Sequence, residues 1–220
     1  MAGKAAGESE LTNSQPVGTG ASRKESEMLT HSRQACYISL TNQKVHAPTW
    51  SLPAIKTCPG STPMCRRLCY ARKAEDLYAI NTAKPSRARN LQSTKSPRFV
   101  DMMTALVRSK TAHGFFRIHE SGDFYSQHYL ECWFEICRRL PHVRFLAFTK
   151  CFGLNWADKP ANLRVIWSVW PDTDVATVPP GRRAYAGEFT PRRPTVECPG
   201  ACDGCRVCWT GSQDVHFKIH

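Results

Sequence analysis

Residues 115–124 read FFRIHESGDF, and no other stretch constrains the fold as much. Phe115, Phe116, Arg117, Ile118 and His119 have the apolar, β-compatible character of a short strand. Glu120, Ser121, Gly122 and Asp123 then stop it in a polar loop whose glycine permits a sharp turn. Helices are expected on both sides. Ser96-Pro97 opens one with Phe99, Met103, Leu106 and Val107 at helical spacing. Ser126 opens the other, with Tyr129, Trp133, Ile136, Cys137 and Leu140 on one apolar stripe until Pro141 stops it. Residues 143–149 (VRFLAFT) and 163–170 (LRVIWSVW) supply further strands. A strand, helix, strand, connector and strand imply parallel pairing and right-handed crossovers. The expected class is therefore α/β, as a partial TIM-like barrel or a parallel sheet with βαβ units.

Such folds build their sites at the carboxyl ends of the strands. Those ends carry His119, Ser121 and Asp123, then Thr149, Lys150 and Cys151, then Ser168, Trp170 and Asp172, which are expected to meet at one cleft. His119, Asp123 and Lys150 are the candidates for acid–base work or substrate contact. The structural alternatives are a hydrogen-bonded strand histidine and an aspartate that merely caps the next helix.

Eleven cysteines lie in this chain of 220 residues. The N-terminus shows no apolar signal-peptide core and the sequence no apolar run of membrane-spanning length, so a cytoplasmic setting without membrane contact is expected. In a reducing compartment clustered cysteines point to metal rather than to disulfides. Cys58, Cys65 and Cys69 lie on a Cys-rich loop, 50–71, where three prolines and a glycine exclude a continuous helix. Cys198, Cys202, Cys205 and Cys208 form a C-terminal cluster, 197–209, spaced C-x3-C-x2-C-x2-C. Four soft thiolates at turn-length spacing suit zinc or an iron–sulfur cluster. A single tight run is more ferredoxin-like than the two separated pairs of structural zinc. Three thiolates on a four-iron cluster leave one iron open to a ligand; the alternative upstream is a zinc site completed by His46.

Residues 1–30 are small, polar and near neutral, so a disordered leader is expected before one domain over 31–220. The net charge of +12 then belongs to the folded part and favours an anionic partner, nucleic acid above all. Lys84, Arg87, Arg89, Lys95 and Arg98 form a basic stripe that includes Asn90 and Gln92. Arg182, Arg183, Arg192 and Arg193 add to the charge. The plainer reading is a solubilising surface.

The segments CPGSTPMCRRLCYA, RIHESGDFYSQHYLECWFEICRRLPHVRFLAFTK and CPGACDGCRVCW resemble the phage and plasmid family called "gene product 88". That family is in turn distantly similar to radical S-adenosylmethionine enzymes, which are partial α/β barrels. The resemblance implies a catalytic 4Fe-4S cluster on Cys58, Cys65 and Cys69 and an auxiliary cluster on Cys198, Cys202, Cys205 and Cys208. It places S-adenosylmethionine near Ser121, Gly122 and Asp123, with Ser168 from the third strand. The spacing C-x6-C-x3-C departs from the C-x3-C-x2-C usual in those enzymes. The function expected is an iron–sulfur, radical S-adenosylmethionine-like enzyme acting on nucleic acid or a nucleotide. The alternative is a zinc-stapled nucleic-acid-binding module without catalysis.

Overall fold

The computed structural model describes residues 36–40, 44–77, 83–111, 114–188 and 194–218. The leader expected over 1–30 lies outside the described residues. Three of the expected strands pair in parallel as neighbours: β3 (Phe115–Ile118), β4 (Arg144–Thr149) and β5 (Leu163–Val169). Their register sets Phe116 against Phe145 and Phe145 against Leu163. β2 (Thr49–Trp50) extends the sheet beyond β3, and β1 (Ile38–Ser39) closes that side antiparallel to β2. On the other side come β6 (Arg183–Ala186), β8 (Asp214–Phe217) and, outermost, β7 (Thr195–Glu197). The order is β1-β2-β3-β4-β5-β6-β8-β7, with every pairing parallel except the first. The sheet is open, with β1 and β7 as its edges.

Period-two alternation splits the strand residues between two faces. On one face Trp50, Phe116, Ile118, Phe145, Ala147 and Leu163 meet α4 (Phe99–Lys110) and α5 (Gln127–Arg139). Both helices bury the expected stripes, and Ser126 caps α5 by accepting the Tyr129 N–H at 3.2 Å. Trp133 is the hub, with Phe116 at 5.9 Å, Phe99 at 6.2 Å and Trp50 at 6.3 Å between ring centroids. Aromatic side chains bury about 150–250 Å² each, so this face carries much of the hydrophobic stabilisation. Leu146, Ile166 and Ala184 point to the opposite face. There they pack with Val45, Ala47 and Trp209 of α6 (Val207–Thr210). The connection before β2 and the one after β7 meet across this face, where the Cys202 N–H donates to the Lys44 carbonyl at 2.7 Å.

Several elements differ from the sequence reading. The Cys-rich loop contains a one-turn helix, α1 (Pro63–Arg67), capped by Thr62 and carrying Cys65. Lys84, Arg87 and Arg89 of the basic stripe belong to a helix, α3 (Ala83–Ser93), which follows α2 (Tyr70–Leu77), and Lys95 and Arg98 lie in the turns after it. α4 starts after Arg98 rather than at Pro97, because residues 94–98 form turns in which Ser96 Oγ accepts the Arg98 N–H. The segment DVHFKIH, uninformative as sequence, supplies β8, an interior strand.

Candidate functional site

The carboxyl end of β2 leads into the Cys-rich loop, and the Ser121-Gly122-Asp123 turn clasps that loop to the sheet. The Leu52 N–H donates to the Ser121 carbonyl at 2.8 Å, and the Ser121 hydroxyl donates back to the Leu52 carbonyl at 2.9 Å. The Asp123 N–H donates to the Thr57 carbonyl at 3.0 Å. Gly122 has φ +84°, and a Cβ there would lie 2.6 Å from Leu52 Cβ and 2.7 Å from Thr57 Oγ1. Only glycine meets both the left-handed backbone and the close approach. The buried Asp123 carboxylate reaches across to β4. It accepts the Phe124 N–H at 2.8 Å, the Thr149 hydroxyl at 2.6 Å and the Lys150 N–H at 2.9 Å. Burial pushes its pKa up while these bonds pull it back.

Further contacts hold the rest of the loop against the strand ends. Gly60 lies on β4's end, where a Cβ would stand 2.2 Å from the Lys150 carbonyl oxygen. The Met64 N–H donates to Asp172 Oδ2 at 2.7 Å, and the Tyr70 hydroxyl donates to the Glu120 carbonyl. Cys58, Cys65 and Cys69, all half-buried, are thereby placed along the carboxyl edge of β2 to β5. Burial, and then the Asp123 charge, push the Cys58 thiol up to about 11. Burial also raises Cys65, against the pull of the nearby Lys150 ammonium.

A cleft of about 530 Å³ opens beside this loop, lined by Pro59, Gly60, Phe124, Lys150, Cys151 and Phe152 among others. Lys150 Nζ also stands 5.6 Å from the Trp170 ring centroid. The expected convergence at the strand ends thus holds for Lys150 and Cys151, which face the cleft, and for Asp123 and Thr149 directly beneath it. Asp172 ties down the cysteine loop instead. Ser168, by the pleat of β5, shares the face of Ile166. His119 does not line the cleft. Its ring is buried against Phe124, with Nε2 2.9 Å from Tyr129 Oη, which accepts the Trp50 indole N–H at 2.9 Å. Burial, then the neighbouring Arg117 charge, hold it down to about 3, so it is neutral. Its φ of +62° turns the chain at the end of β3. Glu120, to which the sequence pattern assigns no role, accepts from Thr49 Oγ1 at 3.3 Å as well as from Tyr70.

The C-terminal cysteines occupy the other face. Their segment runs from the end of β7 to the start of β8, with Cys208 packed against the Leu146, Ile166 and Trp209 cluster. Burial pushes the Cys202 and Cys208 thiols up, and the nearness of other cysteines of the quartet adds to it. Three buried donors of this face lack hydrogen-bond partners among the described residues: Arg117 Nε, Arg206 Nη1 and Trp209 Nε1. Arg117 lies 4.8 Å from the Phe148 ring centroid; Arg206 and Trp209 lie 5.1 Å from that of Phe115. A buried donor without an acceptor costs about 1–3 kcal/mol. Among the described residues, no three histidine, cysteine or carboxylate side chains are drawn round one point as a single ion requires. His46 is exposed, at φ +50°.

Some of the basic residues turn inward. Arg87 is buried and donates to Glu75 Oε1 and the Ala71 carbonyl, both at 3.0 Å. Asn90 is buried too and bonds the Tyr37 backbone and the Ser51 carbonyl. Arg182 donates to the Gln213 and Cys208 carbonyls. Lys84, Arg89, Lys95 and Arg98 are exposed, whereas Arg192 and Arg193 lie outside the described residues. No helix among the described residues is long and apolar enough to cross a membrane.

No solved structure matches this chain. The "Gene 88 protein" of Mycobacterium phage D29 is 30% identical over 197 residues, covering 74% of this chain and 82% of the relative. The "Gene 88 protein" of Mycobacterium phage L5 is 29% identical over 199 residues, with the same coverage. The family profile described as "Gene product 88" matches residues 19–186, a span that holds the three-cysteine loop and the Ser-Gly-Asp clasp and ends before the C-terminal cysteines. The chain belongs to the gene product 88 family.

Proposed function

We propose that this is a phage-type iron–sulfur enzyme, a divergent relative of the radical S-adenosylmethionine enzymes, acting on nucleic acid or a nucleotide. One observation carries the reading. The loop bearing Cys58, Cys65 and Cys69 is clasped by Ser121, Gly122 and Asp123 at the carboxyl edge of a parallel sheet, beside the cleft faced by Lys150. The strand order from β2 to β6 follows the chain, and the connections before β2 and after β7 meet across one face. Both features suit a partial barrel.

A four-iron cluster held by three thiolates keeps one iron free for a ligand and supplies an electron. The chain's own residues do the rest. Phe124 and Phe152 offer apolar walls for a base or nucleoside. Lys150 offers an ammonium to a carboxylate or phosphate at the cleft. Asp123 and His119 act as positioning residues: the first locks the loop to β4, and the second turns the chain at the end of β3. The exposed Lys84, Arg89, Lys95 and Arg98 bring a phosphate backbone to the molecule.

The test is anaerobic purification of wild type and of a Cys58/Cys65/Cys69 triple alanine variant, with iron, sulfide and zinc analysis, absorption spectra and an assay of reductive S-adenosylmethionine cleavage. Iron and sulfide in wild type, partly lost in the variant together with cleavage, are expected. Zinc alone, with salt-sensitive nucleic-acid binding indifferent to S-adenosylmethionine, overturns the enzyme and leaves a zinc-stapled binding module.

A further inference from the structure

Residues 66–73 read RRLCYARK, and Arg66, Arg67, Arg72 and Lys73 are all exposed, as is Lys56 earlier in the cysteine loop. The neighbouring acids leave most of this charge unbalanced. Glu75 turns inward, where it accepts the Ala54 N–H at 2.9 Å and pairs with the buried Arg87 at 3.0 Å. Asp76 stands 3.9 Å from Arg72, and Asp172 accepts the Met64 N–H. Lys56, Arg66, Arg67 and Lys73 make no ion pair among the described residues. Tyr70 stands in the middle of this run. It is the most exposed aromatic side chain of the described residues, at 57%, yet its hydroxyl is anchored by donating to the Glu120 carbonyl. Among the described residues no other ring or cation stacks on it. A single exposed aromatic is ordinary on a protein surface. One whose hydroxyl is fixed while its ring stays open, inside a run of cations, combines a stacking platform with phosphate contacts, as surfaces that hold single strands do. The run also reaches the cleft: Arg66 Nε donates to Ser61 Oγ at 2.8 Å, between Gly60 and Thr62 of the cleft wall.

We propose that Tyr70, Arg66, Arg67 and Lys73 form a binding surface for single-stranded nucleic acid, with one base stacked on the Tyr70 ring and the flanking phosphates held by the cations. The inference rests on the reading that the substrate is nucleic acid or a nucleotide, and narrows it: the partner is an unpaired strand, and its contacts come from the cysteine loop itself. In a duplex the bases stack on one another, which closes their faces to Tyr70. A strand lying on this surface is carried to the rim of the cleft faced by Lys150.

The experiment measures, by fluorescence anisotropy at low salt, the binding of labelled oligothymidylate, an abasic strand of the same length and a duplex of that length to the anaerobically purified full chain. Tyr70→Phe keeps the ring and Tyr70→Leu removes it. Lys73→Gln removes one cation. Arg144→Gln is the charge control, because Arg144 is exposed at the amino end of β4, the end opposite the cysteine loop. Oligothymidylate is expected to bind wild type and Tyr70→Phe alike and Tyr70→Leu more weakly by on the order of ten-fold. Wild type should prefer it to the abasic strand by about the same factor, a comparison that needs no variant and so decides even where Tyr70→Leu perturbs the loop. Lys73→Gln should lower the slope of log affinity against log salt by about 0.7, and Arg144→Gln should leave it unchanged. Equal affinity of wild type for the abasic and thymidylate strands, equal losses in Tyr70→Phe and Tyr70→Leu, or a duplex bound as tightly as the single strand overturns this surface while leaving a nucleic-acid substrate standing. Absence of binding to all three probes overturns the nucleic-acid reading and the surface with it.

Discussion

Asp123 is a catalytic candidate by sequence, and the structure gives its carboxylate a structural task. Its carboxylate accepts three hydrogen bonds, from Phe124 N–H, Thr149 Oγ–H and Lys150 N–H. Replacing it with alanine leaves three donors without their acceptor. At about 1–3 kcal/mol for each stranded buried donor, and allowing cleft water to reach the Lys150 amide, Asp123→Ala should cost about 3–6 kcal/mol. Asp123→Asn keeps one oxygen for Phe124 and Thr149 but turns an NH2 towards the Lys150 N–H. It loses one charge-assisted bond, worth about 1.5–3 kcal/mol, and its cost should fall in that range. The assay is urea unfolding at neutral pH followed by tryptophan fluorescence, since Trp50 and Trp133 are fully buried reporters of the adjoining core. A purely catalytic aspartate would abolish turnover and leave the urea midpoint unmoved. If both variants unfold within about 0.5 kcal/mol of wild type, the clasp argument is wrong.

Two further expectations concern His119 and Arg87. His119 is held down to about 3 against 6.5 for an ordinary histidine, so between those values the unfolded chain binds the proton that the fold refuses. Stability from this group is therefore complete above pH 6.5 and falls as pH drops, by about 2 kcal/mol at pH 5. Urea titrations at pH 7 and pH 5 should show that increment in wild type and not in His119→Asn, a residue that tolerates the same left-handed backbone; equal losses in the two proteins refute it. Arg87→Met should destabilise by about 3–5 kcal/mol, because it strands the largely buried Glu75 carboxylate, yet leave the salt dependence of any nucleic-acid binding unchanged. Lys84→Met should do the opposite, lowering the slope of log affinity against log salt by about 0.9 for each phosphate that the lysine neutralises.

Much of the fold is legible in the sequence because its signals are local. The runs 115–119, 143–149 and 163–170 alternate or concentrate β-formers, and Ser126 with Pro141 brackets a helix whose stripe matches a period of 3.6. The short strands are not legible. Thr49–Trp50 has two residues, and Asp214–Phe217 is amphipathic and follows a cysteine cluster; each is a strand only because a neighbour supplies the ladder. Charge is a poor guide to surface in the same way. Arg87 and Asn90 read as parts of a basic stripe, but on α3 they fall on the buried side, where Glu75 and the Tyr37 and Ser51 backbone meet them.

The cysteine spacing and the apolar runs determined, by themselves, which residues offer soft ligands and that the chain forms a parallel α/β sheet. They also placed the polar turns at strand ends. Only the tertiary structure decided the roles within those turns. His119 lies one backbone turn away from the cleft because a left-handed φ rotates its ring into the core, while Lys150 opens onto the cleft because the amide beneath it is pinned by Asp123. Which polar group is consumed in holding the fold and which is left facing a ligand depends on contacts between segments distant along the chain, such as the 69 residues that separate Ser121 from Leu52. Local spacing carries no record of those contacts.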